Sequence, residues 1–270
     1  MQAQLPALSR RTVFYSRALT ENVGPILLLL VMWEIFARME IVHKALFPPV
    51  STVLGTLAGM AAQGKLIEHI LQSFYRLFVS MGFAIVAGTA LGVFMGSVRP
   101  LEKLFVPPIN FLGAIPGIAL YPATILWFGL TEKAVVFTIA FSSTIPVVLS
   151  TWTGVKTVND TLVNAARSMD TRGLGLLFRV LLPGALPVLI AGYRIAFAQG
   201  WRILVAGEFL ASPERGMGIM IFEAREFLQS DVVYGGIILI GVLGFAMERL
   251  ILRPLEAATV QRWGMLRELE

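Results

Sequence analysis

The sequence of 270 residues contains no cysteine and only two histidines, His43 and His69. The absence of cysteine excludes disulfide bonds, thiolate catalysis and cysteine-ligated metals. With so few histidines, a histidine-rich metal site is not expected either. Charged residues make up only 14% of the chain, and its net charge of +5 is spread thinly, without a dense basic run. A nucleic-acid-binding domain is therefore disfavoured.

Apolar residues, in contrast, are abundant. Hydrophobic residues make up 56% of the chain, and the mean hydropathy is +0.76. A soluble protein of this size does not need so many apolar residues to fill its core, so a soluble enzyme and a disordered chain are both disfavoured. The composition is typical of a membrane protein.

Six stretches are apolar and long enough to cross a bilayer, which takes about 20 residues each. They are 22–40, 72–96, 109–130, 133–155, 184–207 and 232–252. Prolines interrupt the third and fourth stretches, and a membrane helix tolerates proline where neighbouring helices satisfy the freed carbonyls. We therefore predict an all-α, multi-pass membrane domain over residues 22–255, whose proline-containing helices face protein rather than lipid.

An even number of spans places both termini on one side of the membrane. That side would carry the larger share of the lysines and arginines, which predicts that both termini are cytoplasmic. Residues 1–21 are polar and basic and resemble the start of a signal peptide, but no small-residue cleavage site follows the first apolar run. We therefore expect an uncleaved first span, a cytoplasmic N-terminal segment over 1–21 and a cytoplasmic tail over 256–270.

A ridge of small residues lies in the second predicted span. Gly88, Gly92 and Gly96 are spaced four apart and so share one helix face on which another helix can approach closely. Packing within one chain is the first interpretation, and a seam between two copies is the alternative.

A long polar segment, 156–183, separates the fourth and fifth spans, and connections of this length are often functional. Its pattern predicts an N-cap at Asn159-Asp160, a short helix over 161–169, a turn over 170–173, and a second short helix over 174–182 ended by Pro183. The apolar face of the first helix is small and alanine-rich. It therefore favours docking to a protein over lying on lipid headgroups.

One run in this segment resembles a known motif. Its spacing is Asn164-Ala165-Ala166-x3-Asp170-x9-Val180-x-Leu182-Pro183. It is similar to the Glu-Ala-Ala-x3-Gly-x9-Ile-x-Leu-Pro motif of permease subunits in binding-protein-dependent ABC importers. Two positions depart from that motif. Asn164 replaces the glutamate and removes a carboxylate that could pair with a partner, and Asp170 replaces the glycine but tolerates a left-handed backbone better than most residues.

Other stretches are similar to the nitrate, sulfonate, taurine and bicarbonate branch of that family. They are Phe47-Pro48-Pro49 with Ser51 and Val53, Pro116 to Gly129, Leu204 to Glu208, Gly216-Met217-Gly218, Phe227 to Val233, and Arg262-Trp263-Gly264. The resemblance covers roughly 45–265 and implies the fold of a type I ABC importer permease in the bacterial inner (plasma) membrane.

The resemblance also implies a role and a set of partners. The 156–183 segment would hold the coupling helices, which dock on a separate ATPase. The residues expected to couple are Asn164, Ala165, Ala166, Arg167, Ser168, Asp170, Gly173, Leu182 and Pro183. The expected partners are a second permease copy, two ATPase subunits and a periplasmic or extracellular solute-binding protein, besides membrane lipid, with no nucleic acid. This chain would be a non-catalytic subunit without a cofactor, because the ATPase binds ATP and Mg²⁺.

Charged residues within a membrane span are costly and therefore suggest function. In the fifth span Arg194, Trp201 and Glu208 share a helix face, with Arg202 close by. Because arginine binds oxyanions through its fork of donors, these four residues could line a path for a small anion such as a sulfonate or taurine, nitrate, bicarbonate or an aromatic acid. The alternative is a structural ion pair with Glu34 or Glu248. Arg76, near the outer end of the second span, is expected to extend towards the headgroups.

Residues 212–231 are too polar to span and predict a short outer helix that gates the path or meets a soluble partner, with a plain outer loop as the alternative. Gly59 to Leu66 approaches a P-loop pattern, but Leu66 replaces the hydroxyl residue that would hold Mg²⁺. No nucleotide site is therefore expected in the chain. Two rival functions remain: an ATP-independent transporter or channel, which would not need the 156–183 segment, and a membrane enzyme, which would need clustered acid, base or metal-binding residues.

Overall fold

A computed structural model describes residues 24–211 and 214–256, and no strand occurs within these ranges. The helices, in chain order, are α1 (24–38), α2 (Val50–Ala62), α3 (Lys65–Ser97), α4 (Arg99–Gly113), α5 (Tyr121–Phe128), α6 (Glu132–Lys156), α7 (Asp160–Ser168), α8 (Gly173–Leu176), α9 (Leu182–Ala211), α10 (Met217–Glu226), α11 (Ser230–Met247) and α12 (Arg253–Glu256). The predicted segment 1–21 and most of the predicted tail 256–270 lie outside the described residues.

Four continuous helices are long and apolar enough to cross a membrane. They are Lys65–Ser97, Glu132–Lys156, Gly173–Ala211 and Ser230–Leu252. They contain the second, fourth, fifth and sixth predicted spans, and each extends beyond the predicted bounds. The first predicted span, 22–40, corresponds to α1, of which only residues from 24 onward are described.

The third predicted span, 109–130, is not a single straight helix. Arg99–Gly113 and Gly117–Phe128 form a broken pair bent by 92°. The first helix of the pair ends at Gly113, ahead of Pro116, and a proline disfavours helical backbone at the residue before it. Pro116 itself is also non-helical, with a ψ of 128°. The chain therefore changes direction within the third predicted span, and the apolar helix pair begins at Arg99 rather than at residue 109.

The core forms where α3, α6 and α9 pack together, and the glycine ridge of α3 makes this possible. A Cβ atom on Gly88 would lie 2.6 Å from Val147, one on Gly92 would lie 2.6 Å from Thr151, and one on Gly96 would lie 2.8 Å from Val155. The ridge is therefore covered by α6 of the same chain. The interpretation as packing within one chain is confirmed, and the alternative of a seam between copies is wrong for this face.

The segment between α6 and α9 follows the predicted pattern at its start. The Asn159 side chain accepts a hydrogen bond from the backbone N–H of Thr161 at 2.8 Å, which confirms the N-cap of α7. Asp170 adopts a φ of 56° and Gly173 a φ of 55°, which confirms the left-handed turn. Pro183, however, does not end the second helix. A π-helical turn at Leu177–Leu181 joins α8 to α9, and its wider hydrogen-bond spacing accommodates the proline that lacks an N–H.

Helices α7 and α10 lie at opposite ends of the bundle. α7 precedes the start of α9, whereas α10 follows its end. The short helix predicted within 212–231 is confirmed as α10, Met217–Glu226, and Ser212 and Pro213 lie outside the described residues. Tyr121 of α5 donates a hydrogen bond to the carbonyl of Ile203 at 2.8 Å and so fixes the broken helix against α9.

Candidate functional site

An exposed apolar surface surrounds α7. None of the residues of α7 is buried, and large apolar side chains on α7, on α8 and in the segments beside them are open to solvent. They are Leu162, Met169, Leu174 and Phe178, which are 57%, 81%, 73% and 63% exposed. We call these four residues, with the motif residues 164–170, the coupling surface. An exposed apolar group of this kind, next to polar and charged side chains, is typical of a protein interaction site.

The predicted coupling residues divide into two groups. Asn164, Ala165, Arg167, Ser168 and Asp170 are exposed on or just after α7, and Ala166 is half-buried. Their fixed geometry comes from local bonds, since the Ser168 hydroxyl donates to the carbonyl of Asn164 at 3.0 Å.

The second group, Gly173, Leu182 and Pro183, lies outside α7. Gly173 begins α8, whereas Leu182 and Pro183 begin α9. The half-buried Leu182 packs against an apolar cluster that contains Val155 and Ala185. The first group is therefore placed to meet a partner, and Leu182 holds the start of α9 against α6.

A first cavity, which we call the arginine cavity, lies between α9 and the helix formed by α11 and its π-helical extension Glu248–Leu252. Its volume is about 690 Å³, and its lining includes Arg194, Trp201, Arg202 and Glu248. Arg194 forms an ion pair with Glu248. Three of the four predicted path residues therefore meet in one cavity, and the predicted alternative of an Arg194–Glu248 pair is also present. The other partner considered, Glu34, pairs with Arg38 instead.

Glu208, the fourth predicted path residue, does not line this cavity. It is fully buried and its carboxylate accepts hydrogen bonds from Arg76 Nη1 at 2.7 Å and from Ser73 Oγ at 2.7 and 2.9 Å. Arg76 Nη2 also lies 3.0 Å from Glu132 Oε1. We call these four residues the buried ion network. A structural ion pair therefore describes Glu208 better than a path-lining role.

The expectation that Arg76 extends to the headgroups is wrong, because its side chain is only 1% exposed. It lies well inside α3, and two carboxylates meet its guanidinium there. Glu132 begins α6 and Glu208 lies near the end of α9. The buried ion network therefore joins three helices close to the end of the bundle that carries α10.

The segment before α10 closes over the buried ion network. The N–H of Gly218 donates to Glu208 Oε2 at 2.8 Å, and the N–H of Met217 donates to Ser73 Oγ at 2.9 Å. Glycine is needed here, because a Cβ atom on Gly216 or Gly218 would lie 2.5 Å from the Glu208 side chain. The Gly216-Met217-Gly218 stretch therefore anchors α10 to α3 and α9.

A second cavity, which we call the helix-break cavity, lies where α4 and α5 separate. Its volume is about 410 Å³, and its polar lining residues are Asn110, Ser142 and Gln199. Pro146 has no N–H to donate to the carbonyl of Ser142 one turn earlier in α6. The Gln199 side chain donates to that carbonyl at 3.4 Å. The buried hydroxyl of Ser142 has no hydrogen-bond partner among the described residues.

The helix-break cavity is not predicted from the sequence, because no charged residue lines it. The available signal was weaker: a proline four residues after a serine in α6, and an uncharged amide, Gln199, in the apolar run of α9. Neither shows that the two helices meet at the break of a third.

Residues 85–252 match the family described as "Binding-protein-dependent transport system inner membrane component". The chain is 34% identical over 238 residues to the taurine transport system permease protein TauC of Escherichia coli, a match that covers 86% of each chain. It is 33% identical over 213 residues to the putative aliphatic sulfonates transport permease protein SsuC of Escherichia coli, covering 79% of this chain and 81% of that one.

A solved structure has a similar fold. The chain aligns with an inward-facing conformation of the MetNI methionine ABC transporter with a TM-score of 0.65 and 19% identity, covering 74% of this chain and 98% of that chain. The likeness confirms the predicted all-α permease fold.

Proposed function

Because the chain belongs to the family of binding-protein-dependent transport system inner membrane components, we propose that it is the path-forming permease of an ATP-driven importer of a sulfonate such as taurine. Family membership is the observation that carries the proposal. Two relatives, TauC and SsuC, are named for taurine and for aliphatic sulfonates, and they supply the class of solute.

The coupling surface is the proposed contact with the ATPase. α7 is short, capped at Asn159 and closed by the left-handed turn at Asp170, so it can transmit a displacement that a flexible loop would absorb. ATP and Mg²⁺ bind to the ATPase, and this chain is not catalytic. With α7 in the cytoplasm, both termini are cytoplasmic and α10 lies on the outer side.

Two copies of the chain and two ATPases are expected, because a single path driven from both sides suits twofold symmetry. A solute-binding protein on the outer side would deliver the sulfonate near α10. The membrane is then the bacterial inner (plasma) membrane, which the chain crosses several times.

The proposed path follows α9, which separates the two cavities. Broken membrane helices are tolerated where they line a cavity, and transporters often bind solutes beside them. The helix-break cavity meets this condition and offers neutral donors, Asn110, Ser142 and Gln199, for sulfonate oxygens. The guanidinium of Arg194 already pairs with Glu248, which weakens its attraction for an anion. We therefore assign the arginine cavity, with Trp201 and Arg202, to a later stage of the path rather than to the first binding of the solute.

Uptake of labelled taurine into proteoliposomes tests this proposal, with the chain, its ATPase and its binding protein reconstituted together. Gln199→Leu should lower uptake strongly while the complex still assembles. Arg194→Met should lower uptake as well, and more than Glu248→Gln, because the path needs the cation rather than its partner. Unchanged uptake in Gln199→Leu would remove the helix-break cavity from the path. Unchanged uptake in Arg194→Met would leave Arg194 as a structural residue.

A further inference from the structure

A third cavity lies at the other end of the bundle from the buried ion network, between the start of α4 and the end of α6. Its volume is about 530 Å³, and it is lined by Arg99, Glu102, Lys103, Val106, Pro107 and Trp152. None of these residues belongs to the coupling surface or to the two cavities beside α9. We call it the basic cavity.

The basic cavity carries an excess of positive charge. Lys156 Nζ lies 2.5 Å from Glu102 Oε1, so the single carboxylate of the cavity is already compensated. Arg99 and Lys103 are exposed, and neither forms an ion pair with any residue in the described part of the chain. Two cations one helical turn apart therefore face the same opening.

The position of the cavity places it at the level of lipid headgroups. α3 ends at Ser97, α4 begins at Arg99, and α6 ends at Lys156, so the apolar runs of two spanning helices stop beside it. Trp152 lies in the last turns of α6, with Lys156 Nζ 5.7 Å from its ring centroid. Tryptophan beside lysine or arginine is typical of the boundary between the hydrocarbon layer and the headgroups.

After Lys103, α4 exposes large apolar side chains. Leu104 and Phe111 are 64% and 71% exposed, and both follow Arg99 along the helix that turns into the apolar layer. A ligand that fills the cavity and continues along α4 would therefore need a negatively charged head and a long apolar tail.

From this combination we propose that the basic cavity binds the headgroup of an anionic phospholipid. Arg99 and Lys103 contact the phosphate diester, since a guanidinium donates to two oxygens at once and an ammonium supplies a second charge. Trp152 and Val106 contact the glycerol region, and the acyl chains lie along Leu104 and Phe111. Basic cavities between membrane helices are known to favour such headgroups. The leaflet, which is cytoplasmic if α7 is cytoplasmic, depends on the proposed function, whereas the binding itself does not.

The test measures binding of a fluorescent phosphatidylglycerol to the purified full-length chain in neutral detergent, without the ATPase. Each lysine or arginine near a membrane surface contributes about 1 kcal/mol to the binding of anionic lipid, which is about a 5-fold change in affinity. Arg99→Gln with Lys103→Gln should therefore weaken binding about 30-fold. A matched control removes the same charge at the opposite end, with Lys65→Gln and Lys133→Gln, and should bind as the unaltered chain does.

Competition separates a lipid from a free anion. Unlabelled phosphatidylglycerol should displace the probe, whereas phosphatidylcholine and inorganic phosphate should not. Displacement by inorganic phosphate at the same concentration as phosphatidylglycerol would overturn the lipid assignment. Equal binding by the Arg99→Gln, Lys103→Gln variant and by the control would overturn the site. Arg99→Lys with Lys103→Arg keeps both charges and should therefore retain most of the binding; loss of binding in this variant would overturn the assignment to charge.

Discussion

The variant Arg76→Met should be less stable than the double variant Arg76→Met with Glu208→Gln, which removes both charges of the buried pair. The side chains of Arg76 and Glu208 are 1% and 0% exposed. In Arg76→Met, Glu208 keeps only neutral donors, the hydroxyl of Ser73 and the N–H of Gly218. Leaving one charge of a buried pair without its partner costs about 3–5 kcal/mol of unfolding free energy.

The single variant Glu208→Gln should be milder. It keeps the shape of the side chain and an oxygen that accepts from Gly218. Arg76 keeps its second carboxylate, Glu132 at 3.0 Å, so its charge is still paired. Glu132 is 41% exposed and is therefore itself partly hydrated. We expect a loss of about 1–3 kcal/mol, the cost of an imperfectly satisfied buried polar group.

The combined variant, Arg76→Met with Glu208→Gln, leaves no buried charge without a partner, because Glu132, which also loses Arg76, is 41% exposed to solvent. It should therefore be more stable than Arg76→Met alone, so that the two changes are strongly non-additive. Reversible unfolding in mixed detergent micelles, followed by circular dichroism, measures the free energy of unfolding of each variant. Lys65→Met, an exposed change in the same helix, should stay within about 0.5 kcal/mol of the unaltered chain. If the combined loss equals the sum of the single losses, the energetic coupling inferred from the structure is refuted.

Three further variants test other contacts. Ala165→Trp, at an exposed position of α7, should reduce co-purification with the ATPase, while Ala62→Trp, at an exposed position of α2, should not. Equal recovery of the two variants would remove Ala165 from the contact. Gly92→Ala brings a Cβ atom to 2.6 Å from Thr151 and should lower the unfolding free energy by about 1–3 kcal/mol, whereas Gly82→Ala, where a Cβ meets nothing within 4 Å, should not. Gly218→Ala should release α10 from Glu208 and speed proteolysis within 217–226; an unchanged cleavage rate would contradict the anchoring.

The features predicted well from sequence are those decided by neighbouring residues. The N-cap at Asn159 and the left-handed turn at Asp170 depend on side chains within a few positions. The long apolar runs of α3 and α6 likewise predict spans by themselves. The small face of Gly88, Gly92 and Gly96 indicated close helix packing, although not which helix would fill it.

The features missed depend on distant parts of the chain. Arg76 and Glu208 are far apart in sequence, and only the packing of α3 against α9 brings them to 2.7 Å. The bend at Pro116 was not predicted because proline in a membrane helix is compatible with both a straight and a broken span. The role of Gln199 follows from a carbonyl freed by Pro146 on another helix, which no local pattern reveals.

We propose that this chain moves its solute only when a separate ATPase drives the coupling surface. The test measures the accumulation of taurine against its concentration gradient in two sets of vesicles. One set holds the chain alone, the other also holds the proposed ATPase, and the binding protein is present in both. Accumulation should appear only in the second set, and only when ATP is present on the side of the membrane that carries the ATPase. It should be lost in the variant Ala165→Trp. Uphill accumulation by the chain alone, without ATP, would show that transport does not need the ATPase.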